Sequence, residues 1–394
     1  MQKKILIVSS VFKPEPVVSA RISEDIATVL ASDYEVEVFT PYPSRPRGMS
    51  FKNVDLTDNR FKRIIANSYI FPDSKFLGRM RESFSFGYAT YKYIKHNKDK
   101  FSVIYANTKP LFGVYFTLIA CKKFNIPLIL HIQDIYPESM ISRLKKGKKL
   151  FNIFTRLDKT LYKFAHTILV ISDKMKECIS ETRDLQSEKI VVARNWQGDL
   201  DFNCTVPQRN NKFTFMFCGS ISPAAGVDFL IDSFIDASLD NCVLIIAGDG
   251  SMKEKCQEIV LKRGADNIIF KSVQPHEVPS VQSLSDVLLL PLKKGIGKTA
   301  SPSKLPAYMQ SGKPIIASVD SGCDTEFVIN SSGCGLITEA ENKGMLIQAM
   351  KTLSQTPRSE LKTMGEKGKD FALHHMSKEV NLNRIVNQIK SAIK

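Results

Sequence analysis

Two serines and a lysine, Ser301, Ser303 and Lys304, lie close together in the second half of the chain. They follow an apolar run, residues 287–292, that predicts a strand, and a short helix is predicted to begin near Ser303 and to stop at Gly312. A helix N-terminus carries unpaired N–H groups and a partial positive charge, so it suits a phosphate. Hydroxyls and one ammonium group at this place favour an anion site. The alternative is a capping serine beside a solvated lysine.

Glycine-bearing turns are predicted at the ends of neighbouring strands in the same half. Gly219 and Ser220 follow one predicted strand, and Gly248 and Gly250 follow the next. Glycine allows the backbone to approach a phosphate closely. Each turn alone is equally consistent with simple chain reversal, but turns on successive strand ends strengthen one another.

The elements that must position these residues are predicted to alternate between strand and helix. Residues 4–10 and 34–40 read as strands, with a helix between them at about 21–30. This order predicts a parallel, doubly wound sheet. The same pattern begins again after a polar stretch, residues 198–212, which we interpret as a linker. A G-x-G-x-x-G motif is absent from the first turn, so no nicotinamide site is predicted.

Composition and charge restrict the possible functions. The chain has 394 residues, which favours two domains, and its eight cysteines are scattered without a C-x-x-C pair. We therefore expect reduced thiols in a cytosolic protein and no zinc. Lys and Arg outnumber Asp and Glu by 33 to 20 in residues 1–200, but only by 22 to 20 in residues 201–394. The first half is thus expected to face an anionic partner. Because no nucleic-acid motif is present, an anionic membrane surface fits this charge better than nucleic acid does.

The segment SPSKLPAYMQSGKPIIAS, residues 301–318, resembles the donor-binding segment of the GT-B glycosyltransferases of family 4. The likeness is to the branch that builds O-antigen, capsule and colanic-acid chains and includes the fucosaminyl transferases. It implies GT-B architecture, which is two doubly wound, Rossmann-like domains facing a cleft. It also implies an acceptor-side domain at residues 1–200, with the C-terminal helix 377–394 packed back on it, and a donor-binding domain at residues 205–372.

The resemblance further implies the reaction. A sugar would pass from a nucleotide-diphosphate donor, UDP-linked and carrying an N-acetylated deoxysugar, to a lipid-linked or saccharide acceptor in bacterial surface polysaccharide synthesis. The anomeric configuration would be retained, and neither a metal nor a cofactor is expected. The residues that the resemblance assigns to donor binding are Gly219, Ser220, Gly248, Gly250, Gln274, Ser301, Ser303, Lys304 and Glu326. For Glu326, capping of its own helix is the alternative.

The acceptor side is predicted from strand ends in the first half. Asp134 and Glu138 follow the strand at residues 128–132, at the edge of an open α/β sheet where ligands bind. The family often has His-Asp here, and this chain has Gln133 before Asp134. Asp134 is our candidate for a catalytic contact, with turn capping as the alternative. His131 is interpreted as a core residue, and the remaining acceptor-side candidates are Glu15 and Arg21.

The chain departs from the family at charged positions. Thr299 and Ala307 stand where many members carry two glutamates, and Ser220 and Ala225 stand where many carry an arginine and a lysine. Two alternatives therefore stay open. One is a GT-B sugar-nucleotide epimerase, and the other is a non-catalytic GT-B subunit that binds a partner transferase.

A basic amphipathic segment lies at residues 142–166. Eight basic residues and one acidic residue occur between Arg143 and Lys163, and apolar residues recur at helical spacing. We predict contact with an anionic membrane surface through residues 142–155, and core packing for the residues that follow. A polyprenyl-diphosphate-linked acceptor and a place on the inner face of the cell membrane agree with this charge.

Overall fold

A computed structural model describes residues 4–45, 49–71, 76–107, 112–135, 148–196, 212–297, 302 and 304–393. The chain divides into two compact units. Unit 1 comprises Met1–Trp196 and Lys378–Lys394, and unit 2 comprises Gln197–Ser377. None of the helices among the described residues combines the length and the apolar content that a membrane span requires.

Each unit contains one fully parallel sheet. The strand order in unit 1 is β3-β2-β1-β4-β5-β6-β7, and in unit 2 it is β10-β9-β8-β11-β12-β13. Both orders start at the centre and proceed outwards in both directions, which is the doubly wound arrangement that the sequence predicted. The strands are β1 Lys4–Ser9, β2 Glu35–Pro41, β3 Lys62–Ala66, β4 Phe101–Asn107, β5 Leu128–Ile132, β6 Thr167–Val170, β7 Ile190–Val192, β8 Phe213–Cys218, β9 Cys242–Ala247, β10 Ile268–Lys271, β11 Val287–Pro291, β12 Ile315–Val319 and β13 Gly335–Glu339.

The α-helices cover both faces of each sheet. Those of unit 1 are α1 to α5 and α13, and those of unit 2 are α6 to α12. Their bounds are α1 Val18–Leu30, α2 Phe76–His96, α3 Phe112–Phe124, α4 Lys148–Tyr162, α5 Asp173–Arg183, α6 Val227–Ala237, α7 Lys253–Arg263, α8 Val278–Ser283, α9 Leu305–Gln310, α10 Asp324–Ser332, α11 Lys343–Gln355, α12 Arg358–His375 and α13 Lys378–Ser391.

Alternation along the strands builds two cores in unit 1. Leu6 and Val8 of β1 face the core shared with α2 to α5, whereas Ile5 and Ile7 face the core shared with α1 and α13. Successive side chains of a strand point to opposite faces, so a strand covered on both faces must be apolar throughout. This requirement explains the continuous apolar run of β1.

The C-terminal helix α13 is attached to unit 1 by polar contacts as well as by its apolar face. The Asn381 side chain, which is fully buried, accepts a hydrogen bond from the Arg194 backbone N–H at 2.8 Å. The Lys390 ammonium pairs with the Asp33 carboxylate at 2.7 Å. These contacts hold α13 beside α1 at the edge where β7 ends.

A buried ion pair fixes the position of α4, the helix of the basic amphipathic segment. The Asp158 carboxylate accepts hydrogen bonds from the Tyr115 hydroxyl at 2.8 Å and from the Arg183 guanidinium at 2.9 Å. Both charged side chains are 1% exposed. The three residues belong to α4, α3 and α5, so this cluster joins three helices on one face of the sheet.

We predict that Asp158→Asn destabilises unit 1 by about 3 kcal/mol, because it removes the carboxylate charge that pairs with the buried Arg183 guanidinium. The free energy of unfolding is measured by urea denaturation followed by circular dichroism. Asp184→Asn is the matched control, because the Asp184–Lys159 pair lies at the surface. Equal stability of Asp158→Asn and wild type would show that the buried pair contributes nothing to the fold.

Candidate functional site

The carboxyl end of β8 is held by a buried tyrosine. The Tyr308 hydroxyl of α9 accepts a hydrogen bond from the Cys218 backbone N–H at 2.7 Å and donates one to the Cys218 carbonyl at 2.9 Å. Tyr308 is fully buried. One side chain therefore satisfies both backbone groups of the last residue of β8, and it fixes α9 against that strand end.

Lys304 lies directly before α9, and its side chain crosses the turn that follows β8. An ideal Cβ atom at Gly219 would lie 2.2 Å from Lys304 Cε, so the lysine stem occupies the space that a side chain at Gly219 would need. The ammonium nitrogen lies 5.2 Å from the centroid of the Phe217 ring. Burial lowers the pKa of Lys304 below its ordinary value. Among the described residues, no carboxylate forms an ion pair with this ammonium group.

The glycine turns after β8 and β9 pack directly on one another. An ideal Cβ at Gly248 would lie 2.1 Å from the Gly219 carbonyl oxygen, and one at Gly250 would lie 2.3 Å from the Ile221 carbonyl oxygen. Gly219, Gly248 and Gly250 have φ values of +150°, +141° and +157°. The close packing and these φ values both require glycine. The two turns thus form a compact backbone platform beneath Lys304.

The other donor-binding candidates lie in different surroundings. Ser220 is exposed in the turn after β8. Gln274 is exposed and forms a capping box with Glu277, whose carboxylate accepts the Gln274 backbone N–H at 2.7 Å. The Glu326 carboxylate, in the first turn of α10, accepts a hydrogen bond from the Gly322 backbone N–H, just before that helix. Ser301 and Ser303 lie outside the described residues.

Asp320 is a site residue that the sequence did not indicate. It follows β12, is 5% exposed, and its carboxylate accepts the Gly295 and Gly297 backbone N–H groups at 2.8 and 2.9 Å. Asp320 therefore anchors the loop between β11 and α9. The only sequence signal is an aspartate directly after a strand, and the glycines that it holds lie more than twenty residues earlier.

The acceptor-side candidates are distributed over the carboxyl edge of the unit 1 sheet. Asp134 is exposed directly after β5. The buried Glu15 carboxylate accepts the backbone N–H groups of Ser44 and Arg45, each at 2.9 Å, so it anchors a loop. The Arg21 guanidinium donates to the Trp196 carbonyl at 2.7 Å. Glu138 lies outside the described residues.

Four polar side chains form a hydrogen-bonded chain beside Asp134. The Asn195 amide donates to the Gln133 carbonyl oxygen at 2.8 Å, and the Gln133 amide nitrogen lies 3.0 Å from His131 Nε2. His131 Nδ1 lies 2.7 Å from the Tyr105 hydroxyl. His131 is 1% exposed, which agrees with its interpretation as a core residue, and burial lowers its pKa to about 3.

Among the residues that the structure describes, no three His, Cys, Asp or Glu side chains are grouped so that they could hold a metal ion. The cysteines at 121, 218, 242, 256, 323 and 334 are buried thiols.

Both halves of the chain match family models. Residues 20–196 match the family described as Glycosyltransferase Family 4, and residues 205–371 match the family described as Glycosyl transferases group 1. The chain belongs to the GT-B glycosyltransferases, as the SPSKL segment and the order of strands and helices indicated.

Two curated relatives carry the same family signal. The chain is 22% identical over 220 residues to the probable glycosyltransferase WbjE of Pseudomonas aeruginosa, covering 52% of this chain and 54% of that protein. It is 20% identical over 279 residues to WcaI of Escherichia coli K12, described as a putative colanic acid biosynthesis glycosyl transferase, covering 66% and 67%. The match therefore spans only about half the length of WbjE.

A solved structure confirms the fold over nearly the whole chain. Anabaena Alr3699/HepE, solved in complex with UDP-glucose, superimposes with a TM-score of 0.65 at 16% identity, covering 98% of this chain and 99% of that one. At this identity the likeness establishes the fold alone.

We predict that Tyr308→Phe lowers the stability of unit 2 by about 1–3 kcal/mol, because the buried N–H and C=O groups of Cys218 lose their partner. Thermal unfolding followed by calorimetry gives the measurement. Tyr34→Phe serves as the control, since Tyr34 lies in unit 1 and is only partly buried. A Tyr308→Phe protein with the wild-type melting temperature would contradict the proposed role of the hydroxyl.

Proposed function

We propose that the protein transfers a sugar from a nucleoside-diphosphate donor to a hydroxyl group of an acceptor, and that unit 2 binds the donor diphosphate at Lys304. The observation that carries this proposal is geometric: the Lys304 stem fills the space above the turn at Gly219, and its half-buried ammonium group lies at the carboxyl end of β8 without an acidic partner among the described residues. Ligands of open α/β sheets bind at this edge. Burial disfavours the charged form of the ammonium group, and an anion that binds beside it offsets this cost.

The same ammonium group suits the chemistry of sugar transfer. Negative charge develops on the diphosphate as the bond to the sugar breaks, and a fixed positive charge stabilises that departure. The packed turns at Gly219 and Gly248 restrict the direction in which the Lys304 stem can extend. We propose a metal-independent reaction that retains the anomeric configuration, in keeping with the family resemblance.

The relatives support the choice of substrates. HepE was solved with UDP-glucose, and WcaI is assigned to colanic acid biosynthesis. We therefore propose a UDP-linked donor, with an N-acetylated deoxysugar as the transferred group, and a polyprenyl-diphosphate-linked acceptor in surface polysaccharide synthesis. Asp134, exposed at the carboxyl end of β5, is proposed to contact the reacting sugar or the acceptor.

The outer surface of α2, α3 and α4 supports the proposal that the protein binds to the membrane. Ile153 of α4 is 61% exposed. On α2, Lys92 lies 4.6 Å from the centroid of the Tyr88 ring, and Lys122 of α3 lies 3.8 Å from the centroid of the Phe164 ring, just after α4. Exposed apolar side chains interleaved with cations are typical of surfaces that bind anionic lipid. We propose a cytoplasmic protein, peripheral on the inner face of the membrane, with contact through residues 142–155, of which 142–147 lie outside the described residues.

One alternative is favoured by a specific residue. Ala307 is buried on α9, where many family members have a glutamate, and this loss would suit a non-catalytic subunit. Release of nucleoside diphosphate by the purified protein alone would exclude that alternative. Release that requires an acceptor would also exclude an epimerase.

We predict that Lys304→Ala abolishes the increase in melting temperature that the best nucleotide sugar gives, because the diphosphate loses its counter-charge. The donors to screen are UDP-glucose, UDP-N-acetylglucosamine, GDP-mannose and dTDP-rhamnose. Lys255→Ala is the control: it removes the same charge from unit 2, but from a side chain that is 62% exposed and lies 3.8 Å from Asp228. An unchanged shift in Lys304→Ala would refute the diphosphate role.

The pH dependence of the same shift provides a second check. Binding of an anion requires the protonated form, so the affinity should be highest below the lowered pKa of Lys304 and should fall as the pH rises through it. In Lys304→Arg the guanidinium stays protonated, so the alkaline loss should disappear.

We predict that the protein co-sediments with vesicles containing phosphatidylglycerol and is released by salt, because the attraction is electrostatic. Ile153→Glu should weaken this binding, whereas Leu261→Glu should not. Leu261 is 82% exposed but lies in unit 2, which makes it a matched control. Equal binding to phosphatidylcholine vesicles would contradict the electrostatic mechanism.

A further inference from the structure

One edge of the unit 2 sheet is formed by β10, which is paired on one side only. It is the terminal strand in the order β10-β9-β8-β11-β12-β13. The backbone carbonyls of Asn267 and Lys271 accept hydrogen bonds from the β9 side, at 2.9 and 2.7 Å. Because alternate residues of a strand bond to the same neighbour, the backbone N–H and C=O groups of Ile268 and Phe270 point away from β9. A further strand can therefore pair with this edge.

The edge at β10 differs from the edge of the unit 1 sheet at β7. There the Arg384 guanidinium of α13 donates to the Val192 carbonyl at 2.8 Å, so a side chain occupies an outward backbone group. On β10, the side chains of Ile268 and Phe270 pack into the core shared with α6 and α7. Ile269 points to the opposite face and is 45% exposed. An open strand edge beside an exposed apolar side chain favours association with another strand.

The two ends of β10 carry opposite charges. Asp266 lies directly before the strand and Lys271 is its last residue, and both side chains are exposed. Among the described residues, neither forms an ion pair. A second copy of the strand brings opposite charges together at both ends only if it runs antiparallel, whereas a parallel copy brings like charges together. The charge pattern of this edge is thus complementary to itself.

We propose that two copies of the protein associate through β10, with the two strands antiparallel about a two-fold axis at Ile269. Ile268 of one copy lies opposite Phe270 of the other, and each such pair exchanges both N–H···O bonds. Ile269 faces Ile269 of the second copy in the pair type that brings side chains closest, so both become less exposed to water. The contact uses the same surface on both copies and therefore closes at a dimer.

This pairing leaves the anion site of unit 2 accessible. The strands of one copy run antiparallel to those of the other, so the carboxyl edges of the two sheets face in opposite directions. Lys304 and Gly219 lie at the carboxyl edge of their own sheet, away from the second copy's. The inference therefore does not depend on the proposed function, and either can fail without the other. Because the paired strand is short, we expect a weak dimer with a Kd in the micromolar range.

Sedimentation velocity of the full chain, at concentrations from about 1 to about 100 µM, tests the dimer. We expect the mass to rise from 44.3 kDa towards twice that value. Ile269→Glu should abolish the rise, because it places two carboxylates opposite each other at the axis. Met345→Glu is the matched control and should dimerise like wild type, since Met345 is also 45% exposed and lies in unit 2, on α11. A wild-type protein that stays monomeric, or an Ile269→Glu protein that still dimerises, would overturn the inference.

Charge reversal and cross-linking test the orientation with exposed residues whose replacement does not disturb the core. Asp266→Lys should weaken the dimer about tenfold, and combining it with Lys271→Asp should restore the wild-type Kd. Under mild oxidation, Ile269→Cys should form a disulfide-linked dimer that wild type does not form. Lys271→Cys should not, because Lys271 lies opposite Asn267 of the second copy. Failure of the double reversal to restore the dimer, or a cross-link through Lys271→Cys and not through Ile269→Cys, would contradict the proposed pairing.

Discussion

The chemistry proposed for unit 2 depends on a positive charge that is partly withdrawn from water. Burial of an ammonium group lowers its pKa unless an anion lies beside it, and the pKa of Lys304 is lowered. Lys293, which follows β11 in the same unit, is by contrast neutralised, because it pairs with Asp228 at 3.0 Å and Glu341 at 3.3 Å. This contrast supports the proposal that Lys304 binds an anionic ligand. A diphosphate beside Lys304 would stabilise the protonated ammonium group more than water does, because its negative charge offsets the cost of burying the positive charge.

The position of Lys304 depends on close backbone packing around it. Tyr308 ties α9 to the end of β8, and Gly219 leaves room for the lysine stem. Behind α9, helix α12 comes into contact through glycine as well: an ideal Cβ at Gly365 would lie 2.0 Å from the Gly312 carbonyl oxygen. Larger side chains at Gly219 or Gly365 would displace α9, and Lys304 with it. At the carboxyl edge of the unit 1 sheet, the side chains that are held in place are the neutral amides of Gln133 and Asn195, not a charged group.

Much of the fold could be predicted from the sequence, whereas much of the site could not. Apolar runs such as residues 4–10 and 287–292 identified central strands, because a strand covered on both faces must be apolar. The edge strand β3, Lys62–Ala66, was not predicted, since an edge strand with partly exposed side chains lacks such a run. The glycines were recognised, but their packing on one another was not, because it depends on contacts between turns that lie about thirty residues apart in the chain. The bond between Asn195 and Gln133 spans 62 positions, and no local pattern records it.

The most direct measurement is a crystal structure of the protein with UDP bound. We expect the diphosphate to lie over the turns at Gly219 and Gly248, with an oxygen about 2.8 Å from the Lys304 ammonium nitrogen, the usual length of a charged N–H···O hydrogen bond. A diphosphate bound elsewhere, with Lys304 still packed against Phe217 and without contact to it, would contradict the account.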